Sequence, residues 1–197
     1  MTTSIRILIA LAATAVLSGC AGTNFLRPDA QALVVGKSTA ADVSRVMGES
    51  GQVGEALKND QKVKIARYAY AEGAGTGRYP GVVPARAMVF STHNDLLVGQ
   101  EFVSSFPLDA TDFDEAKMQG IVKGKTTRPE VLAALGKPNG EAIYPLIKKQ
   151  GETAAMYSYG HVKGNVFNMK FYSKALVVSF DAKNVVSDVE FTSSGEK

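Results

Sequence analysis

The sequence predicts an α+β protein of two tandem units, each a helical hairpin packed on an antiparallel β-meander. Two observations predict it. First, Gly36-Lys-Ser-Thr-Ala-Ala-Asp-Val-Ser-Arg-Val-Met-Gly48 recurs 88 residues later as Gly124-Lys-Thr-Thr-Arg-Pro-Glu-Val-Leu-Ala-Ala-Leu-Gly136. Second, the likeness extends in order to other segments. Phe25 and Leu33 correspond to Phe113 and Ile121, Arg67-Tyr-Ala-Tyr70 to Met156-Tyr-Ser-Tyr159, and Ala87-Met-Val-Phe-Ser91 to Ala175-Leu-Val-Val-Ser179. Agreement across several ordered segments is the mark of an internal repeat. It divides the chain into a first unit at 25–106 and a second at 107–197.

Each unit is expected to open with a helix, Phe25 to Val35 or Phe113 to Lys123, ended by Gly36 or Gly124 as the residue that turns left-handed. A second helix starts at Thr39 or Thr127, with an acid three residues on, Asp42 or Glu130. In that pattern hydroxyl and carboxylate satisfy orphan N–H groups of the first turn. Pro129 is tolerated there because first-turn N–H groups have no helical acceptor. Val43, Val46 and Met47, and then Val131, Ala134 and Leu135, form an i, i+3, i+4 apolar stripe. Gly48 and Gly136 close these helices, and Pro138 blocks continuation.

Strands follow. Ile65 to Ala71 and Ala154 to Gly160 alternate, which puts Tyr68 with Tyr70, and Tyr157 with Tyr159, on one face. Met88 to Thr92 and Leu176 to Phe180 end in polar turns, and Leu96 to Val103 and Val185 to Thr192 return. Val166 to Tyr172 reads as an additional strand of the second unit. Its place in the first is taken by a Gly-rich loop from Glu72 to Pro84. In this reading helices cover one sheet face and leave the other open.

Ahead of the repeats, Arg6 precedes an apolar run from Ile7 to Leu17, and then Leu17-Ser18-Gly19-Cys20 contains the only cysteine of the chain. This is the charged, apolar and small-residue order of a secretory signal, with an apolar run too short to span a bilayer. Its end resembles a bacterial lipobox. That resemblance implies a signal at 1–19, a lipidated tether at 20–24, and Cys20 as the acceptor of diacylglycerol through sulfur and of a further acyl chain on its freed amine. Several acyl chains give lasting membrane attachment where one does not. Ala21 lacks the acidic character of an inner-membrane retention signal, so the expected address is the outer membrane, facing the periplasm.

Composition narrows the function. The chain has 197 residues and a formal net charge of +3, without a run of like charges. This is too weak an excess for a nucleic-acid partner, whose phosphates demand a concentrated basic face. With Cys20 committed to lipid, no thiol remains for a disulfide, a zinc site or a nucleophile. His93 and His161 read as surface histidines, and Asp112, Asp114 and Glu115 as a solvated helix start. No enzyme, cofactor or metal is expected. The candidate contact residues are aromatic or lie in the asymmetric loop: Tyr68, Tyr70, Arg78, Tyr79, Tyr157 and Tyr159. For the four sheet tyrosines, an exposed anchor and a core position stand as equal alternatives.

The run from Phe113 to Pro138, with Tyr157-Ser-Tyr159 and Leu176-Val-Val-Ser-Phe-Asp181, resembles the SmpA/OmlA (BamE-like) lipoprotein family. The tandem arrangement resembles the β-lactamase inhibitory protein fold. The resemblance implies a non-enzymatic accessory protein of a cell-envelope assembly that binds an envelope protein. The alternatives are an inhibitor of a periplasmic or incoming enzyme, and a lipid or small-ligand binder.

Overall fold

The computed structural model describes residues 22–165 and 167–196; the expected signal and Cys20 lie outside them. In chain order the elements are α1 (Ala40–Met47), β1 (Gln52–Lys58), β2 (Gln61–Ala71), β3 (Val82–Val83), β4 (Ala85–His93), β5 (Leu96–Ser104), a 3-10 turn at Glu115–Gly120, α2 (Arg128–Leu135), β6 (Gly140–Ile143), β7 (Thr153–Asn165), β8 (Asn168–Phe180) and β9 (Val186–Gly195).

The expected fold class is corrected by the sheet and by the helices. All strands among the described residues belong to one nine-stranded antiparallel sheet, ordered β1-β2-β4-β5-β6-β7-β8-β9, with β3 on β7. The sheet curls into a half-barrel and does not form two separate meanders. Its halves meet where β5 pairs with β6, Gln100 opposite Glu141 and Glu101 opposite Gly140. Gly140 fits this seam because a Cβ there would stand 2.7 Å from the Gln100 carbonyl oxygen.

Neither helical hairpin forms. The stretch 25–35 runs without helix, and of 113–123 only the 3-10 turn is helical. Pro28 withholds a donor from the first segment. Gly36 then gives its N–H to Leu97 O at 2.8 Å, as Gly124 does to Val186 O at 2.8 Å, so both segments close onto a strand.

The repeat survives as a pattern of hydrogen bonds. Thr39 and Asp42 form a reciprocal capping box on α1, as Thr127 and Glu130 do on α2. A cap of this kind contributes about 1 kcal/mol. Gly48 and Gly136 end the helices at φ 77° and 81°. Each helix buries a single valine, Val43 or Val131, and Val46 stays 40% exposed, so the packed stripe is narrower than the sequence suggests.

Two clusters lie on the helix face. Leu33, Val43, Tyr68, Met88, Phe90, Leu97 and Phe102 fill the first half; Phe113, Val131, Tyr157, Leu176, Val178 and Phe180 fill the second. The reverse face is not left open throughout. The loop after β6 lays Ile147 and Leu146 over Ala142 and Ala154. The Asn59 side chain in the β1–β2 turn donates to Pro145 O and Ile147 O, both at 2.9 Å, tying the curled edge to this loop.

Candidate functional site

The sequence-predicted residues separate into core and surface. Tyr68 and Tyr157 are core: each ring is buried, and each hydroxyl donates to the glycine carbonyl that ends its half's helix. Burial pushes the Tyr157 hydroxyl up to about 12. Their positions leave no ring face for a partner. Tyr70 is half-buried and stacks on Phe106, the rings 6.0 Å apart and 7° from parallel, while the Arg86 guanidinium lies 4.2 Å from the same Phe106 ring.

The Glu72–Pro84 loop is part of the sheet and not a free connection. Val82 and Val83 pair with Lys163 and Val162 of β7, and the Arg78 N–H donates to Ser105 O. Arg78 and Tyr79 are exposed on this strap, the guanidinium 5.7 Å from the tyrosine ring. Tyr79 donates its hydroxyl to Asp112 at 2.5 Å and meets Tyr159 edge-on at 6.3 Å.

Beneath the strap lies a polar cluster that the sequence did not reveal. Strand alternation and the register Tyr159↔Lys174 and His161↔Tyr172 place these four side chains on the helix face of β7 and β8. Lys174, only 5% exposed, pairs with Asp112 at 2.7 Å and Glu115 at 3.4 Å, and donates to Phe113 O. The three acids therefore do not form a solvated helix start: Asp114 caps the 3-10 turn, and the other two neutralise Lys174. Burial pushes the Asp112 carboxyl up, but bonds from Lys174 and Tyr79 outweigh it and hold it below its ordinary range.

His161 is likewise not a surface residue. It is 8% exposed between Tyr159 and Tyr172, and neither ring nitrogen has a hydrogen-bond partner among the described residues. Burial, then the charge of Lys163, lowers its pKa. Burial and the Asp112 charge raise the Tyr159 hydroxyl to about 12. Such groups favour their neutral forms. Within the cluster the Lys174 charge is met by Asp112 and Glu115. No group of three or more His, Cys, Asp or Glu able to hold a metal occurs among the described residues.

A cavity of about 380 Å³ opens on the helix face over the seam, lined among others by Arg27, Gln100, Arg128, Leu132, Asn139 and Glu141. Arg27 reaches across it to donate to Asn139 O at 3.4 Å, while Arg128 is held by Asn184 and Thr153 and lies over the Phe180 ring. On the reverse face, Glu101 accepts from Ser158 at 2.5 Å, and burial raises its pKa.

The two sheet edges differ. Edge strand β9 carries Asp188 and Glu190, ion-paired to Lys148, with Lys123 also on Asp188. Edge strand β1 is exposed along nearly its whole length, and Val53 and Leu57 are 76% and 75% exposed. Charge is a common means of blunting an edge against pairing; β1 carries Glu55, ion-paired to Lys62 at 2.7 Å, and Lys58, between and beside its exposed aliphatic side chains. Val53, Glu55 and Leu57 alternate before an Asn59-Asp60 turn, at φ 47° and 61°, which is the sequence signal that would have located this strand.

These features define an all-antiparallel, single-sheet protein whose clearest unspent features are surfaces. No family model matches the chain, and no curated protein matches it. A solved structure from Streptococcus mutans, described as a "putative beta-lactamase inhibitor protein", is similar over 82% of this chain and 91% of that one, at 7% identity and a TM-score of 0.40.

Proposed function

We propose that this chain is a non-enzymatic lipoprotein of the outer membrane, anchored through Cys20, that works by pairing edge strand β1 with an envelope protein. The carrying observation is the edge itself: seven residues long, unpaired on its outer side among the described residues, with two aliphatic side chains three-quarters in solvent. An extended segment added there would gain main-chain hydrogen bonds, and Val53 and Leu57 would supply contact on alternate positions. The only cysteine, placed after an apolar signal-like run, supports the anchor.

The test is capture from detergent-solubilised membranes by the wild-type protein and by the double variant Val53→Lys, Leu57→Lys. Both positions are exposed, so the fold should be retained, which circular dichroism checks. Loss of the captured envelope protein is expected; equal capture by the folded variant would overturn the edge assignment.

A further inference from the structure

The two ends of the sheet differ in polarity. At one end lie the turns β1–β2, β4–β5 and β8–β9, built from Asn59-Asp60, Asn94-Asp95 and Ala182-Lys183-Asn184, with Lys148 and Lys149 in the loop after β6. At the other end, Leu108 in the loop after β5 is fully exposed, and the β7–β8 hairpin carries Phe167 at 95%, Met169 at 53% and Phe171 at 61% exposure. The ladders to β3 and β9 end at Lys163 and Tyr172, with one further main-chain bond on each side, Gly164 N–H to Gly81 O and Glu196 N–H to Phe171 O, so the last residues of this hairpin, around Phe167 and Met169, outrun the rest of the sheet.

The hairpin end is two-faced. Phe171 stands opposite Val162 and Met169 opposite Gly164 on one face, while Lys170 stands opposite Lys163 on the other. Lys170 is bonded to Glu196 at 2.5 Å, and both of those side chains are exposed. Aromatic and aliphatic groups at a tip, with flanking lysines able to keep their ammonium groups in water, fit the interfacial layer of a bilayer.

The chain's own start points to the same end. The Gly22 backbone lies against Ala69 and Tyr70, near the end of β2. Antiparallel pairing through β4, β5, β6 and β7 puts the close of β2 at the end of the sheet where β7 turns into β8. Cys20 is two residues before Gly22, within about 7 Å of contour length. An acyl anchor on Cys20 therefore holds this end, and not the polar end, toward the membrane.

We propose that the β7–β8 hairpin tip is a second membrane contact, in which Phe167, Met169 and Phe171 enter the interface of the leaflet that holds the Cys20 lipid. The proposal rests on the lipoprotein reading. Together, anchor and tip fix the orientation of the sheet, with the Asn- and Lys-rich turns directed away from the bilayer.

The chain contains no tryptophan, so one introduced indole reports without background. Full-length protein carrying Phe167→Trp, and a second sample carrying Leu57→Trp near the polar end, are purified from membranes. Each is reconstituted into vesicles of phosphatidylethanolamine and phosphatidylglycerol with brominated acyl chains. The expected result is a blue shift and loss of emission for Phe167→Trp and none for Leu57→Trp. Equal quenching of both, or of neither, overturns the tip contact. So does an unquenched Phe167→Trp that crosslinks to a protein in native membranes, which would give the tip to a protein partner. Mass spectrometry of the same samples reads the acyl groups on Cys20, so failure of the anchor and failure of the tip are separate results.

Discussion

Tyr157 donates its hydroxyl to the carbonyl oxygen of Gly136 at 2.9 Å, fastening the end of α2 to β7. Tyr68 and Gly48 do the same for α1 and β2 at 2.7 Å. Each short helix thus has a capping box that closes its own first turn and two fastenings to the sheet, one buried valine and a tyrosine on the glycine carbonyl at its end. Removing the hydroxyl with Tyr68→Phe or Tyr157→Phe should cost about 1 kcal/mol each. Removing the ring with Tyr157→Ala should cost about 3–5 kcal/mol, because it empties a core site. Urea unfolding measures both; a Tyr157→Ala variant as stable as wild type would place the ring outside the core.

Gly48 and Gly136 should respond alike. Both hold a positive φ, and a Cβ at either would meet nothing within 4 Å, so the penalty of alanine is conformational and not steric. The expected loss is about 1–2 kcal/mol at each position, read as a lower unfolding midpoint at unchanged denaturant slope.

His161 gives the fold an acid-sensitive component. Its folded pKa is lowered from the usual 6.5 by burial and by Lys163. Between that lowered value and 6.5 the unfolded chain binds the proton and the folded chain does not, so stability from this group is full above 6.5 and falls as pH drops. His161→Phe, which keeps a ring between Tyr159 and Tyr172, should flatten the fall in unfolding free energy below about pH 6.5. An unchanged slope would assign the acid sensitivity to other groups.

Shortening the Glu72–Pro84 loop to a Gly-Ser turn should lower stability. The sequence predicts no more than a Gly-rich loop here. What the sequence could not show is that Val82 is buried and that Val82 and Val83 find β7, a partner some eighty residues away. Loss of β3, of the Tyr79–Asp112 bond and of the Arg78–Ser105 bond should lower the thermal midpoint measurably. A full-stability variant would show that the strap contributes nothing.

The locally coded features were legible in the sequence. The capping threonines, the closing glycines and the polar turns with left-handed Asn94, Asp95 and Asn184 all act within a few residues of themselves. Features set by distant partners were not. Phe25 to Val35 has helical spacing, yet Phe25 O is held by Arg86 and Leu33 O by Gln100, which are strand residues far along the chain. Strand β6 is four residues long and opens on glycine, too short to show alternation. His161 looks like a residue just past a strand until β7 is seen to run on to Asn165. Val166 to Tyr172 and Leu176 to Phe180 read as two strands because Ser173-Lys174 interrupts the apolar pattern; β8 starts at Asn168 and runs through that interruption to Phe180, and Lys174 is accommodated by the half-buried carboxylates of Asp112 and Glu115.

A partner strand on β1 would lie within reach of a photo-crosslinking side chain placed at position 57 in the envelope of cells that make the protein. A matched probe at Lys183, exposed in the β8–β9 turn at the same end of the sheet, serves as the control. Strand pairing at β1 should give a discrete crosslinked envelope protein from position 57 and none from 183, with the product lost when Val53→Lys is added. No product from position 57, or the same product from both positions, would contradict it.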